Sequence, residues 1–341
     1  MKVGIIGASG YTGEELLRLL ACHPRVEVSI AVSRRLAGQR VNEAMPRLRE
    51  RLEGLMFQSP DAVELAYQED CEVFFLAMPH GASSAYARAL VDSGKKVIDL
   101  SADFRLSCAE RYKDYYGHMH PDVDLLNRAA YVLPELSCKE WCRTPLVACP
   151  GCYPTSILIP LIPLLRERVI RSEDIRICAF SGVSGAGRQV KEELLFCERA
   201  ENAKAYGLPK HRHLSEIEEQ LSLAAGTEVV VQFVPHLAPM RRGLISTITA
   251  SAESGKSIEA FYEVWQHYYE KSPFVSILPS GCFVESQHTV GSNRIDIAAV
   301  HDSRTGLFVS TAALDNLLKG GAGQGVQIMN LWCGFPETTG L

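Results

Sequence analysis

Two short segments of this chain hold residues that could do chemistry, one as a nucleophilic thiol and the other as a phosphate cradle. In A-C-P-G-C-Y-P-T, Ala148 to Thr155, an apolar stretch passes through Pro-Gly into a helical pattern starting near Thr155. A cysteine at such a junction lies near backbone N–H groups and the positive end of a helix, and both favour the thiolate. Cys152 is therefore the candidate nucleophile. With Cys149 it also forms a C-x-x-C, a pattern found in redox pairs and in half of a zinc site. No second C-x-x-C and no H-x-x-x-H supplies two further ligands, although Cys138, Cys142, His118 and His120 are near in sequence, so no metal is expected. Cys149 ends an apolar strand and reads as a buried structural thiol.

A nucleophilic thiol needs a proton partner, and K-H-R-H-L-S-E, Lys210 to Glu216, offers two imidazoles with a carboxylate in reach. His211 and His213 are both candidates; the residues alone leave the choice open. Three other segments could hold anions. S-G-V-S-G-A-G-R, Ser181 to Arg188, is a Gly/Ser loop of the nest type that includes Ser184 and Gly185. P-H-L-A-P-M-R-R-G, Pro235 to Gly243, carries Arg242. S-A-D-F-R, Ser101 to Arg105, follows an apolar strand and would put Arg105 beyond its carboxyl end, where open α/β sheets bind ligands.

The cradle is G-A-S-G-Y-T-G, Gly7 to Gly13, between a strand pattern and a helix pattern. Glycines there allow a tight turn and close backbone approach, so a pyrophosphate can rest on the free N–H groups at the helix N-terminus. About 20 residues further on, an acidic residue would mark NAD. This chain instead has Ser33-Arg34-Arg35, whose hydroxyl and guanidiniums suit a 2′-phosphate, which points to NADP.

These segments need elements to position them. The first half alternates: strands at residues 2–6, 26–32, 73–77, 96–99 and 145–149, with helices at 14–22 and 82–92, the pattern of a Rossmann-type parallel sheet. After Cys152 the pattern becomes strand-rich, at 175–180, 228–234, 244–251, 274–278, 295–301 and 307–311. Helices are expected at 189–197, 214–224, 257–269 and 312–319, which predicts an α+β domain with a mixed or antiparallel sheet. The boundaries expected are 1–150 for the nucleotide domain, completed by a C-terminal helical segment 312–341, and 151–311 for the catalytic and oligomerisation domain.

Length and composition fit two soluble domains: 341 residues, 47% hydrophobic and 22% charged. A net charge of −5 offers no basic field for nucleic acid or an anionic membrane. Eleven scattered cysteines fit a reducing cytoplasm better than a disulfide framework. No apolar run approaches the ~20 residues of a membrane span, so neither nucleic acid nor membrane is an expected partner.

In this order the motifs closely resemble the N-acetyl-gamma-glutamyl-phosphate reductase family, NADP-dependent enzymes of arginine biosynthesis that group with the aspartate-semialdehyde and glyceraldehyde-phosphate dehydrogenases. M-P-H-G at Met78, G-S-N at Gly291 and D-N-L-L-K-G at Asp315 extend the likeness over nearly the whole chain. The resemblance implies a small acyl-phosphate substrate reduced through a Cys152 thioester, with His211 as general acid/base supported by Glu216. It implies NADP held by Gly7, Ser9, Gly10, Tyr11, Thr12, Gly13, Ser33, Arg34, Arg35, Pro79, Ser184, Gly185 and Asn316. It implies substrate held by Arg105, Ser181, His213 and Arg242, a final helix packed on the first domain, and a dimer or tetramer. The other enzyme readings are relatives that reduce carrier-bound aminoadipyl phosphate or aspartyl phosphate; a reading from another class is a non-catalytic NADP-binding regulator. One residue departs from the pattern, since Cys149 stands where the family commonly shows Asn. A reversible Cys149–Cys152 disulfide would be strained across so short a ring.

Overall fold

The computed structural model describes residues 1–341, in two units: Met1–Pro150 with Gly321–Leu341, and Gly151–Gly320. In the first unit β1 (Lys2–Ile6), β2 (Glu27–Val32), β3 (Phe57–Gln58), β4 (Cys71–Leu76), β5 (Lys96–Asp99), β6 (Ala130–Tyr131) and β7 (Leu146–Ala148) form one sheet. Its order is β3-β2-β1-β4-β5-β7-β6, and every pairing is parallel. This is the Rossmann-type sheet the alternating pattern predicts. The central strands are mostly apolar because helices cover both faces; Val3, Ile5, Val73, Phe74 and Phe75 are fully buried. Strand order reverses between β1 and β4, so the crevice beyond their carboxyl ends is where a ligand of such a sheet belongs. The Gly7 loop leaves β1 and Met78-Pro79 follows β4.

In the second unit β8 (Arg176–Ser181), β9 (Lys204–Ala205), β10 (Gln232–Leu237), β11 (Leu244–Ser251), β12 (Val275–Ile277), β13 (Ile295–Asp302) and β14 (Leu307–Leu314) run in the order β12-β13-β14-β11-β8-β10-β9. β8–β10 and β12–β13 are parallel and the other pairs antiparallel, the mixed sheet expected. The helix Cys152–Arg166 packs on β11 and β14 and against the helices Arg212–Ala225 and Ile258–Tyr269.

Three expectations are corrected. Residues 312–314 do not begin a helix: β14 continues to Leu314, held between β11 and β13, and cross-strand bonding on both edges overrides the helical propensity of A-A-L. A turn follows, with the Asp315 carboxylate accepting the N–H groups of Leu317 and Leu318. The last helix is Ala322–Trp332, packed on the helix Tyr11–Leu20 of its own unit. The helix expected at 189–197 is only two short turns, Glu192–Leu194 and Phe196–Arg199, because the apolar residues there bury no stripe against the sheet. The strand expected at 228–234 begins at Gln232; the N–H groups of Val229 and Val231 bond instead to Ser222 Oγ and Glu218 Oε1.

The helix Cys152–Arg166 contains Pro160 and Pro163, yet stays helical and buried from Tyr153 to Leu165. Pro163 cannot donate to the carbonyl of Ile159 one turn back. The hydroxyl of Tyr269 donates to that carbonyl instead, and Trp265 Nε1 donates to Pro160 O at 2.9 Å. Tyr269→Phe leaves a buried carbonyl without this donor and is expected to cost about 1–3 kcal/mol. Urea unfolding measures it; a change under about 0.3 kcal/mol would show that the carbonyl does not depend on the phenol.

Candidate active site

Cys152 is the first residue of its helix, not three residues ahead of it as the sequence pattern suggests. Gly151 caps the helix in extended backbone, with no side-chain cap, and Thr155 returns both its N–H and its hydroxyl to Gly151 O at 2.9 Å. The N–H of Gly151 donates to Glu216 Oε1 at 2.9 Å. Glu216 is 2% exposed, so a buried carboxylate fixes the peptide leading into the thiol. Gly320 packs close to the thiol, since a Cβ there would stand 2.6 Å from the Cβ of Cys152. Cys152 itself is half-buried, while Cys149 is buried at the end of the first unit.

The helix that supplies Glu216, Arg212–Ala225, is capped by His211. His211 Nδ1 accepts the N–H of His213 at 3.1 Å, which leaves the proton of the neutral ring on Nε2. Four rings surround it, Tyr153, Tyr206, His213 and Phe233, with centroids 5.0 to 5.7 Å away. Burial, aided by the charge of Arg212, pushes the His211 imidazole down to about 4, so the ring is neutral at pH 7. Tyr206 donates to the Tyr153 hydroxyl at 3.2 Å, and Tyr153 to His236 O at 3.3 Å. Burial pushes both phenols up, Tyr206 to about 12, so both remain protonated donors.

The remaining residues of this unit anticipated from sequence fall into one lattice around the turn after β14. Asn316 donates through Nδ2 to Ser184 Oγ at 3.0 Å and accepts the Gly243 N–H on Oδ1 at 2.8 Å. Gly182, Val183 and Ser184 donate their N–H groups to the carbonyls of Gly243, Met240 and Arg241, knitting the nest to the loop after β10. Arg242, 8% exposed at its side chain, pairs through Nε with the fully buried Asp315 at 2.6 Å. Asp315 also accepts the Gly291 N–H at 2.7 Å. Ser181 is buried, and a Cβ at Gly185 would lie 2.9 Å from its hydroxyl oxygen.

In the first unit, Gly7 has φ +87° and a Cβ there would lie 2.3 Å from Ala77 O; at Gly13 one would lie 2.3 Å from Gly7 O. Both glycines are required by the fold. Gly10 is different: a Cβ would meet only Gly7 O, at 3.5 Å, an ordinary contact. The fold does not need glycine there, whereas a ligand approaching the uncapped start of the helix Tyr11–Leu20 does. Ser33 is buried and donates to Ser9 Oγ at 2.7 Å, joining the end of β2 to the glycine loop, and Arg34 and Arg35 are exposed beside it. These residues fit a dinucleotide with a 2′-phosphate. Pro79 is exposed after β4, and Asp103 accepts the N–H groups of Gly81 and Ser83 at 2.6 and 3.0 Å, so it caps the helix Ser83–Asp92. Asp99 is fully buried, accepts from Ser101, and is pushed up by burial and by Asp103. Arg105, 6% exposed, donates to Leu100 O at 3.0 Å within its own loop.

Sequence reasoning missed Gly320, Tyr206 and Asp103. Two of them stand inside quoted motifs, Asp103 as the carboxylate of S-A-D-F-R and Gly320 as the last residue of D-N-L-L-K-G, but without a role; Tyr206 acquires its place through a turn that pattern does not reveal. No three His, Cys, Asp or Glu side chains are grouped to hold a metal ion, and no helix is long and apolar enough to cross a membrane.

Family models match both halves of the chain: a semialdehyde dehydrogenase NAD-binding domain over residues 2–143, and a semialdehyde dehydrogenase dimerisation domain over residues 152–316. N-acetyl-gamma-glutamyl-phosphate reductases from Akkermansia muciniphila and Pelobacter propionicus are 48% and 46% identical, over 100% of this chain and 98% of each relative. The solved aspartate semialdehyde dehydrogenase II of Vibrio cholerae, complexed with ASA, shares the fold with a TM-score of 0.73 at 17% identity, covering 98% of both chains. The Candida albicans aspartate semialdehyde dehydrogenase solved with NADP does so at 0.71 and 16%, covering 98% of this chain and 99% of the other. The chain belongs to the N-acetyl-gamma-glutamyl-phosphate reductase family of the semialdehyde dehydrogenases.

Proposed function

We propose that the chain reduces N-acetyl-gamma-glutamyl phosphate with NADPH, giving N-acetyl-glutamate semialdehyde and inorganic phosphate, with Cys152 as the acyl-accepting nucleophile. The observation that carries this reading is Cys152 at the head of a buried helix whose cap peptide is held by Glu216. The helix terminus favours the thiolate there. Its sulfur attacks the acyl carbon, the carbon–oxygen bond to phosphate breaks, and phosphate leaves with the electron pair. NADPH supplies the hydride that reduces the resulting thioester. The oxyanion formed on the acyl carbon collapses to the aldehyde and returns the electron pair to the Cys152 sulfur.

With Nδ1 filled by the His213 N–H, His211 offers an Nε2–H donor to that oxyanion and cannot take the thiol proton on Nδ1. Glu216 acts as a positioning residue, through the Gly151 peptide. Gly7 to Gly13 and Ser33 to Arg35 would hold the cofactor, and Asn316, through Ser184 and Gly243, keeps the nest in place. The dimerisation-domain match to residues 152–316 supports self-association through the second unit.

Cys152→Ser is expected to lower turnover by at least about 10³-fold while NADP affinity, read by calorimetry, changes less than about twofold. A serine variant with ordinary turnover contradicts the mechanism. Gly10→Ala is expected to keep the melting temperature and weaken NADP binding, whereas Gly13→Ala, with its Cβ against Gly7 O, lowers the melting temperature itself. Equal effects on both measurements would remove Gly10 from the cofactor site.

The depressed His211 pKa has a defined sign. The native state binds fewer protons than the unfolded one between pH ~6.5 and about 4, so this contribution to stability is complete above ~6.5 and falls away toward 4. Urea unfolding at pH 7 and 4.5 should therefore show a stability loss smaller in His211→Asn than in the parent, by on the order of 2 kcal/mol. Identical losses would mean that the ring is not held neutral by its surroundings.

A further inference from the structure

From Gly185 to Lys210 every residue of the second unit is exposed, except the half-buried Leu194 and Tyr206 and the buried Arg199. The polarity of this excursion is inverted. Val190, Leu195 and Phe196 are 89%, 50% and 84% exposed, while the one buried side chain is an arginine, at 9%. Arg199 Nε is buried without a hydrogen-bond partner, and no carboxylate pairs with the guanidinium. Glu192, Glu193, Glu198 and Glu201 are all near in sequence and all exposed, and Glu193 pairs with Lys204 at 3.5 Å instead. A buried cation without a counter-charge is costly, and a chain keeps one where an external anion completes it.

The excursion leaves from the Ser181–Gly187 nest and returns through β9 to Tyr206, whose hydroxyl bonds Tyr153 beside Cys152, and then to His211. The arginines anticipated from sequence as anion holders already have protein acceptors, Arg242 in Asp315 and Arg105 in Leu100 O. We propose that Arg199 holds an oxyanion of the substrate, its carboxylate or its phosphate. This inference rests on the function proposed above and assigns that site a specificity residue.

The test uses the full chain, Arg199→Met and Arg199→Lys, assayed in the reverse direction by NADP reduction with N-acetyl-glutamate semialdehyde and inorganic phosphate. Arg199→Met is expected to raise the KM of one of these two by at least about tenfold, with kcat and the KM of NADP within about threefold and Arg199→Lys in between. A raised semialdehyde KM assigns the carboxylate, and a raised phosphate KM the phosphate. The melting temperature of Arg199→Met is expected to be equal to or above that of the parent, because an unpartnered charge has been removed. Both KM values unchanged, or an effect that tracks a lower melting temperature or a changed oligomer by sedimentation, would overturn the assignment. A parent chain inactive in this assay overturns the function itself and this site with it.

Discussion

One hydrogen bond fixes the peptide that leads into Cys152, the proposed nucleophile: the Glu216 carboxylate accepts the N–H of Gly151. A peptide N–H ahead of a helix has no partner within the helix and must find one. Here the partner comes from a second helix, Arg212–Ala225, which packs against the first, so the sulfur and the His211 imidazole are positioned by one packed pair of helices. Two prolines weaken the thiol's helix from within, and Tyr269 and Trp265, from a third helix, bond its carbonyls. Gly320 lies so close to Cys152 that a Cβ there would clash with its side chain. Cys152 is thus held by backbone and buried groups rather than by surface side chains.

The first unit shows how steric demand separates folding glycines from binding glycines. Gly7 and Gly13 are excluded from carrying a side chain by carbonyl oxygens of the protein itself. Gly10 is not, and its smallness has value only for something that approaches the start of the helix. The Ser33–Ser9 bond ties that loop to the strand end where Arg34 and Arg35 stand, so the glycine loop and the two guanidiniums share one end of one sheet.

Much of this was legible in the residues. The parallel sheet, the mixed sheet, the glycine loop and a helix after Pro150-Gly151 follow from apolar period and from glycine and proline positions, though the pattern starts that helix three residues late. The family likeness was carried by motifs such as P-G-C-Y-P-T and H-R-H in their order. What failed did so for tertiary reasons. A-A-L before Asp315 has helical propensity but is claimed by strands on both edges. The stretch 189–197 has helical composition but faces its apolar side away from the core. The residues suggest Glu216 as a support for an imidazole; that its carboxylate also reaches the Gly151 N–H depends on how two helices pack, which no local pattern encodes.

The central claim is that Cys152 accepts the acyl group, and it is tested most directly by trapping that acyl group. Mixing the chain with N-acetyl-gamma-glutamyl phosphate in the absence of NADPH, then quenching in acid for mass spectrometry, should release one inorganic phosphate per site. It should also add the mass of one N-acetylglutamyl group to the peptide containing Cys152. Phosphate release only when NADPH is present, with no adduct on that peptide, would contradict the account.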